Sequence, residues 1–167
     1  MKTVLVFITL MVAVQSTKLV PKTMADVKDQ CSLNFTFGND IYMFHKCPLD
    51  YYAAVEICKC EKVKSNLLSI HSHEFHEKVI EKLKHSNITS YEVWIGATKG
   101  RFSFTYYWTD GSQMDFQYWA RGAPSHSWYS PACVVMETKE PGYWHDVDCN
   151  IRRPFVCKTE QQKSHSR

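Results

Sequence analysis

Long apolar runs, strong net charge and the short motifs of catalysis are what this 167-residue chain lacks. Beyond its first residues, no stretch approaches the roughly 20 consecutive apolar residues that a membrane-crossing helix needs. The formal charge of +3 is mild. By bulk charge it excludes the electrostatic footprint of a nucleic-acid binder, although a mean says nothing about local basic clusters. No Gly-x-Ser-x-Gly elbow, phosphate-binding glycine loop or paired catalytic carboxylate spacing occurs. His71, His73 and His76 crowd together, but His73-Glu74-Phe75-His76 is not the His-Glu-x-x-His spacing that brings two imidazoles onto one zinc. A zinc hydrolase therefore has only this cluster to stand on. Internal repeats and low-complexity tracts are also missing, as is the acidic run that would mark a charge-masking propeptide.

What is present begins at the N-terminus. Lys2, an apolar run from Val4 to Val14 and small residues at Val14 and Ser16 read as a secretory signal peptide over residues 1–16, cut after Ser16. Loss of Lys2 lowers the charge from +3 to +2. Secretion makes the seven cysteines readable as a disulfide framework. Their odd number leaves one thiol free or joins two chains as a disulfide-linked dimer. The sequons at Asn34 and Asn87 are then surface glycosylation sites. The expected location is extracellular or a secretory granule.

Residues 17–30 are polar and read as a leader or linker, 31–158 as the folded domain, and 159–167 as a polar tail. Two helices are expected. Asp50 caps the first, whose face carries Tyr51, Ala54, Val55 and Cys58. Ser72 caps the second, whose stripe is Phe75, Val79, Ile80 and Leu83, ending near Asn87. Asn66–Ile70 reads as a strand between them. Short aromatic or β-branched runs follow at 93–96, 102–108, 116–119, 133–136 and 155–157. The class is α+β, with a long irregular loop from Ala120 to Pro131. A loop of that length inside a cross-linked domain is usually functional.

These residues together resemble the C-type lectin-like domain over about Cys31 to Lys158. The landmarks are Ala54-x3-Cys58, Leu67-Leu68-Ser69-Ile70, Trp94-Ile95-Gly96, Trp108 with Gly111-Ser112, Cys133, Trp144-x-Asp146, Cys149 and Phe155-Val156-Cys157. Within that family, Cys58-x-Cys60, Tyr118-Trp119-Ala120 and Arg152-Arg153-Pro154-Phe155 are similar to the eosinophil major basic protein (bone marrow proteoglycan) type. Gly122-Ala123-Pro124-Ser125 is similar to the pancreatic regenerating-type lectins. The resemblance implies a disulfide-stapled lectin-like fold with Cys133 joined to Cys149 and Cys157 joined to the first helix. Cys58 and Cys60 both compete for Cys157; the buried helical face favours Cys58, whereas Cys60 stands at the family's usual distance from the next strand. Cys31 resembles the first cysteine of an N-terminal hairpin whose usual partner position is Ile41 here, which leaves Cys47, Cys60 or another chain for it.

Sugar-binding members of that family hold calcium through a Glu-Pro-Asn or Gln-Pro-Asp triplet, an acidic residue before the next cysteine and an Asn-Asp pair after the late tryptophan. Here those places read Ala123-Pro124-Ser125, Ser130-Pro131-Ala132 and His145-Asp146. Calcium takes six to eight oxygen ligands, several of them carboxylates, so no cofactor is expected. The candidate ligand-binding residues are therefore loop aromatics, Trp128 and Tyr129 beside Ser125 and His126, which either stack on sugar or pack beneath the loop. His145 and Asp146 are candidates for hydrogen bonds. Lys99, Arg101, Arg121, Arg152 and Arg153 are candidates for a basic patch that binds sulfate or carboxylate. Trp94, Trp108, Trp119 and Trp144 belong to the core. The expected function is non-enzymatic, calcium-independent binding of glycans or sulfated glycosaminoglycans, with innate defence as a setting. The competing reading is a protein-binding or structural module without sugar recognition.

Overall fold

The computed structural model describes residues 32–61, 65–86 and 90–160. Cys31, Asn87 and the segments 1–30 and 161–167 lie outside them, as do the signal, linker and Asn87 sequon expectations. A hairpin comes first, β1 (Ser32–Phe37) and β2 (Asp40–Leu49). Its two-residue turn places Gly38 at φ +60°, a conformation that glycine adopts without a side-chain clash. Helix α1 (Tyr51–Glu61) follows, then β3 (Ser65–Leu67) and α2 (His73–Lys84). The rest is sheet: β4 (Glu92–Lys99), β5 (Tyr107–Trp108), β6 (Ala132–Glu137), β7 (Trp144–Val147) and β8 (Arg153–Thr159). The strands run in the order β1-β2-β8-β4-β6-β7, with β3 on β8 and β5 on β4.

Both helices start where the sequence places them. Asp50 Oδ1 accepts from Ala53 N at 3.0 Å, and Ser72 Oγ accepts from Phe75 N at 3.2 Å. These are side-chain N-caps. The second helix stops at Lys84, short of Asn87, and both the Ser86 N–H and its hydroxyl turn back to Leu83 O at 3.1 and 2.6 Å. Tyr51, Ala54 and Cys58 are buried, and Cys58 joins Cys157. That disulfide spans 99 residues and ties α1 to the last strand, while Cys133–Cys149 spans 16 and closes the long-loop side. Cys60 is exposed and free. Cys47 is in a disulfide.

Two core clusters lie on either side of the sheet. One gathers α2 (Val79, Ile80, Leu83) with Ile95, Trp108, Val134, Trp144 and Val156. The other gathers α1 with Trp94, Val135, Phe155 and the disulfides. The tryptophan expectation holds for Trp94, Trp108 and Trp144, all at most 1% exposed; Trp119 packs against the first cluster while partly open. Gly96 is required by close approach, because a Cβ there would lie 2.8 Å from Leu67 O.

Three strand expectations are corrected. Only Tyr107–Trp108 of the 102–108 run pairs, Phe116–Trp119 contributes a single bridge from Trp119 to Trp144, and Asn66–Ile70 shrinks to Ser65–Leu67. Phe102 has φ +59°, outside the strand region, and breaks the first of these runs.

Candidate functional site

The site grows from the end of β7. Successive strand residues point to opposite faces, and the side chains of His145 and Asp146 take different partners. His145 Nε2 lies 2.8 Å from Glu137 Oε1. Asp146 is buried and turns under the long loop. Its Oδ1 accepts from Ser125 N at 2.7 Å, and its Oδ2 accepts from His126 N at 2.6 Å, Tyr106 Oη at 2.9 Å and His126 Nδ1 at 3.1 Å. Burial pushes the carboxyl up, but the Ser125 and His126 amides, the Tyr106 hydroxyl and the charge of His126 outweigh it and hold it below the ordinary aspartate value. Burial and the neighbouring carboxylate push the Tyr106 phenol up. Asp146 is thus an ionised acceptor surrounded by donors.

A cation holds the other side of the same loop. Lys99, the last residue of β4, is 1% exposed. Its Nζ donates to Ser127 O at 2.9 Å and Ser130 O at 2.5 Å. Burying a charge is costly unless its hydrogen bonds are supplied, and here loop carbonyls supply two. The expected role of Lys99 in a solvent-facing basic patch is therefore corrected. A buried anion takes the amides at 125 and 126, and a buried cation takes the carbonyls at 127 and 130.

This donor set suits calcium poorly. The loop offers Ala123, Pro124 and Ser125, and Ser130, Pro131 and Ala132 precede Cys133, so among these positions and the pair His145-Asp146 the one carboxylate is Asp146. Both of its oxygens already face N–H or O–H donors. A dication there would meet amide hydrogens where it needs oxygen lone pairs.

With its backbone held from beneath, the loop carries its rings outside. Trp128 and Tyr129 are 40% and 71% exposed. Each meets a ring that sequence reasoning missed: Phe104 lies 4.9 Å from Trp128, and Phe102 lies 6.2 Å from Tyr129 in edge contact. A backbone bond from Phe102 N to Trp128 O at 2.7 Å joins the two loops. Phe102 and Phe104 are exposed as well. The alternation Phe102-Ser103-Phe104-Thr105 has strand period, and no local signal distinguishes this display from a strand.

The basic residues do not assemble into one patch. Arg153 Nε bonds Glu92 Oε2 at 2.9 Å, at the opposite end of β4 from Lys99. Seven residues of strand place those ends about 23 Å apart. Arg152 is exposed beside Arg153, while Arg101, next to Phe102 in the chain, and Arg121 are exposed in loops. The histidines also part. His71 Nδ1 lies 2.7 Å from Asp115 Oδ1, His73 faces Glu77, and His76 Nε2 donates to Pro141 O at 3.0 Å. Burial pushes the His76 imidazole down, toward its neutral form. Among the described residues, the one trio of potential metal ligands within 4.8 Å is His45, Glu61 and Cys157, and the Cys157 sulfur is bonded to Cys58.

Comparison with known proteins meets this geometry at several points. The newt Pleurodeles waltl has a protein named Lectin that is 33% identical over 101 residues, covering 59% of this chain and 59% of its own. Human Proteoglycan 3 is 34% identical over 119 residues, covering 70% of this chain and 50% of its own. The chain thus spans about half to three-fifths of the length of these relatives. Among solved structures, human lithostathine superposes with a TM-score of 0.69 at 25% identity, covering 77% of this chain and 88% of that one. A family model described as the lectin C-type domain matches residues 48–159, a stretch that holds α1, both described disulfides and the whole clamped loop. On that match the chain belongs to the lectin C-type domain family.

Proposed function

We propose that this chain is a secreted, non-enzymatic lectin-like protein that binds glycans without calcium through the rings Phe102, Phe104, Trp128 and Tyr129. The observation that carries this reading is the loop's two internal anchors. Asp146 and Lys99 hold the backbone that calcium would otherwise organise, and they leave the aromatic surface outside. Flat rings suit the apolar faces of sugars, and rigid aromatic anchors carry much of the energy in recognition surfaces. The two described disulfides support an oxidising compartment. No described helix is long and apolar enough to cross a membrane.

Neutral glycans fit better than sulfated ones, because Lys99 is buried on loop carbonyls and Arg153 is paired with Glu92, which leaves Arg101 as the base adjoining the rings in the chain. Catalysis is disfavoured at the same place. Ser125, His126 and Asp146 are the residue types of a hydrolytic triad, yet the Ser125 hydroxyl approaches Asp146 at 3.5 Å. Among the described residues no hydrogen bond joins it to the His126 ring, so the nucleophile–base contact such chemistry requires is missing.

A glycan array probed in calcium and again in chelator tests the reading. Binding is expected to be equal in both. Trp128→Ala or Phe104→Ala is expected to weaken it about tenfold, equivalent to about 1.4 kcal/mol, and Arg152→Ala, far from the rings, to leave it unchanged. Loss of binding in chelator refutes calcium independence. Retention on heparin that falls with salt but ignores Trp128→Ala points to charge recognition through Arg101 and Arg121 instead.

A further inference from the structure

Where α1 meets β2 and β8, four side chains converge that the aromatic surface does not use. Cys58 and Glu61 stand three residues apart on α1, a spacing that puts them on one face of a helix. His45 of β2 lies opposite Phe155 of β8, and Cys157 lies opposite Met43. His45 and Cys157 are thus diagonal neighbours on one face of the sheet, a separation that a long side chain crosses. The Cys58–Cys157 disulfide joins helix to sheet, and His45 Nε2 meets Glu61 Oε1 at 3.1 Å. An imidazole nitrogen, a Glu61 carboxylate oxygen and the Cys157 sulfur lie within 4.8 Å of one another.

All four are buried, Cys58, Cys157 and His45 as whole residues and Glu61 with its side chain only 4% exposed. The polar pair is poorly served there. Close as they are, His45 Nε2 and Glu61 Oε1 are not aligned as a hydrogen bond, and Glu61 Oε2 has no partner among the described residues. Buried polar atoms are costly without partners, and each such group in a folded protein calls for an explanation. Two sulfurs, one imidazole nitrogen and one carboxylate oxygen are a donor set for zinc. Zinc bonds such ligands tetrahedrally at about 2.0–2.3 Å, a span that suits ligand atoms gathered within 4.8 Å. With the disulfide closed the set is incomplete, because thiolate is the form of cysteine that binds metal. Cys60 is exposed and stands outside the set.

We propose that opening the Cys58–Cys157 bond turns this junction into a zinc site held by Cys58, Cys157, His45 and Glu61. A dithiol reductant supplies two electrons and two protons; its own sulfurs join as a disulfide, and Cys58 and Cys157 become thiols. Zn²⁺ then takes both sulfurs as thiolates and releases two protons, with His45 Nε2 and one Glu61 oxygen as the remaining ligands. Oxidation runs the other way. The two thiolates pass two electrons to a disulfide oxidant, which takes up two protons as a dithiol, and the ion leaves. The tie between α1 and β8 is thereby kept in both redox states, by a covalent bond in one and by a metal in the other. The site does not depend on what the aromatic surface binds.

The test uses the full chain carrying Cys60→Ser, so that the exposed thiol adds nothing, both oxidised and after reduction with a phosphine. Co²⁺ is the probe, because thiolate ligands give it a charge-transfer absorption and tetrahedral geometry intensifies its visible bands; Zn²⁺ then displaces it. The reduced chain is expected to bind one ion with both signatures, and the oxidised chain none. Zn²⁺ is expected to raise the melting temperature of the reduced chain, or to restore its near-ultraviolet circular dichroism where reduction has unfolded it. Glu61→Gln and His45→Phe change no thiol. Each is expected to weaken Co²⁺ binding at least about tenfold, the low end of what even outer-shell changes cost a metal site. Undiminished binding by both variants shows chelation by loose thiols and overturns the site. Equal binding by the oxidised chain overturns the redox gate. A reduced chain that neither binds the ion nor gains stability from it overturns the proposal and leaves His45 and Glu61 a structural ion pair.

Discussion

Asp146→Asn is expected to destabilise the domain by about 2–4 kcal/mol and to abolish binding at the aromatic surface. The substitution keeps the size of the side chain but turns one acceptor oxygen into a donor. Both Asp146 oxygens now accept hydrogen bonds, from Ser125 N, His126 N and Tyr106 Oη among others. An amide group leaves at least one of those buried donors facing another donor, and an unsatisfied buried group costs about 1–3 kcal/mol, more where the lost partner was charged. The acid limb of stability carries the same signature. Because the native carboxyl titrates below its ordinary value, the unfolded chain binds protons first as pH falls below about 4. Asp146 therefore contributes stability that is complete above the unfolded pKa and disappears as pH falls through the lowered native one. Asp110, where burial is outweighed by bonds from Ser112 and Ser69, and Asp115, bonded by His71, are shifted in the same direction. Their share of the acid limb persists in the variant. Urea unfolding at pH 7 and at pH 3 measures the difference, which is expected to shrink at the lower pH. An equal loss at both pH values assigns Asp146 a packing role and removes the charge argument.

The second large effect separates the two disulfides whose partners are both described. Replacing Cys58 and Cys157 together by serine opens a loop of 99 residues, worth about 4.7 kcal/mol by loop-closure entropy, whereas Cys133 and Cys149 close only 16 residues, worth about 3 kcal/mol. The first pair also sits among Ala54, Trp94 and Phe155 in the second core cluster, so the serines place hydroxyls in apolar surroundings and add to the loss. Function is expected to order the pairs the other way. Cys133–Cys149 lies at the β6 end next to Ala132 and Lys99 and at the exit of β7, so its removal loosens both anchors of the loop. Cys58–Cys157 ties α1 to β8, away from the rings. Denaturation midpoints and glycan binding of the two double variants, with Cys60→Ser as the unaffected control, check this ordering. A Cys133/Cys149 variant that binds as tightly as the parent shows that the anchors act without the disulfide.

The helices were legible in the sequence because their signals are local or periodic, whereas the disulfide pairings and the core tryptophans followed from the resemblance to the C-type lectin-like domain. Asp50 and Ser72 cap where their types suggest, and the apolar stripe of α2 follows 3.6-residue spacing. Cys58 was separable from Cys60 because only one of two thiols two residues apart can share the buried face of a helix with Ala54. The loop's anchors were not legible. Lysine is almost always exposed, and nothing near Lys99 indicates that carbonyls 28 and 31 residues downstream receive its ammonium. Asp146 was found as a surviving carboxylate, but the amides that occupy it come from 20 and 21 residues upstream. Phe102 and Phe104 read as strand because alternating aromatics have strand period; only the backbone bond from Phe102 to Trp128 shows that they serve the loop. The contact of His145 with Glu137 was not legible either, because it crosses from β7 to β6.

The most direct measurement of the central claim, that Asp146 and Lys99 hold the long loop in place of calcium, is amide hydrogen exchange at Ser125 and His126 with calcium and with chelator. The internal anchors predict that both amides are protected, to the same degree in either condition. Free exchange in chelator that slows when calcium is added would show that the metal, and not the protein's own charges, organises the loop.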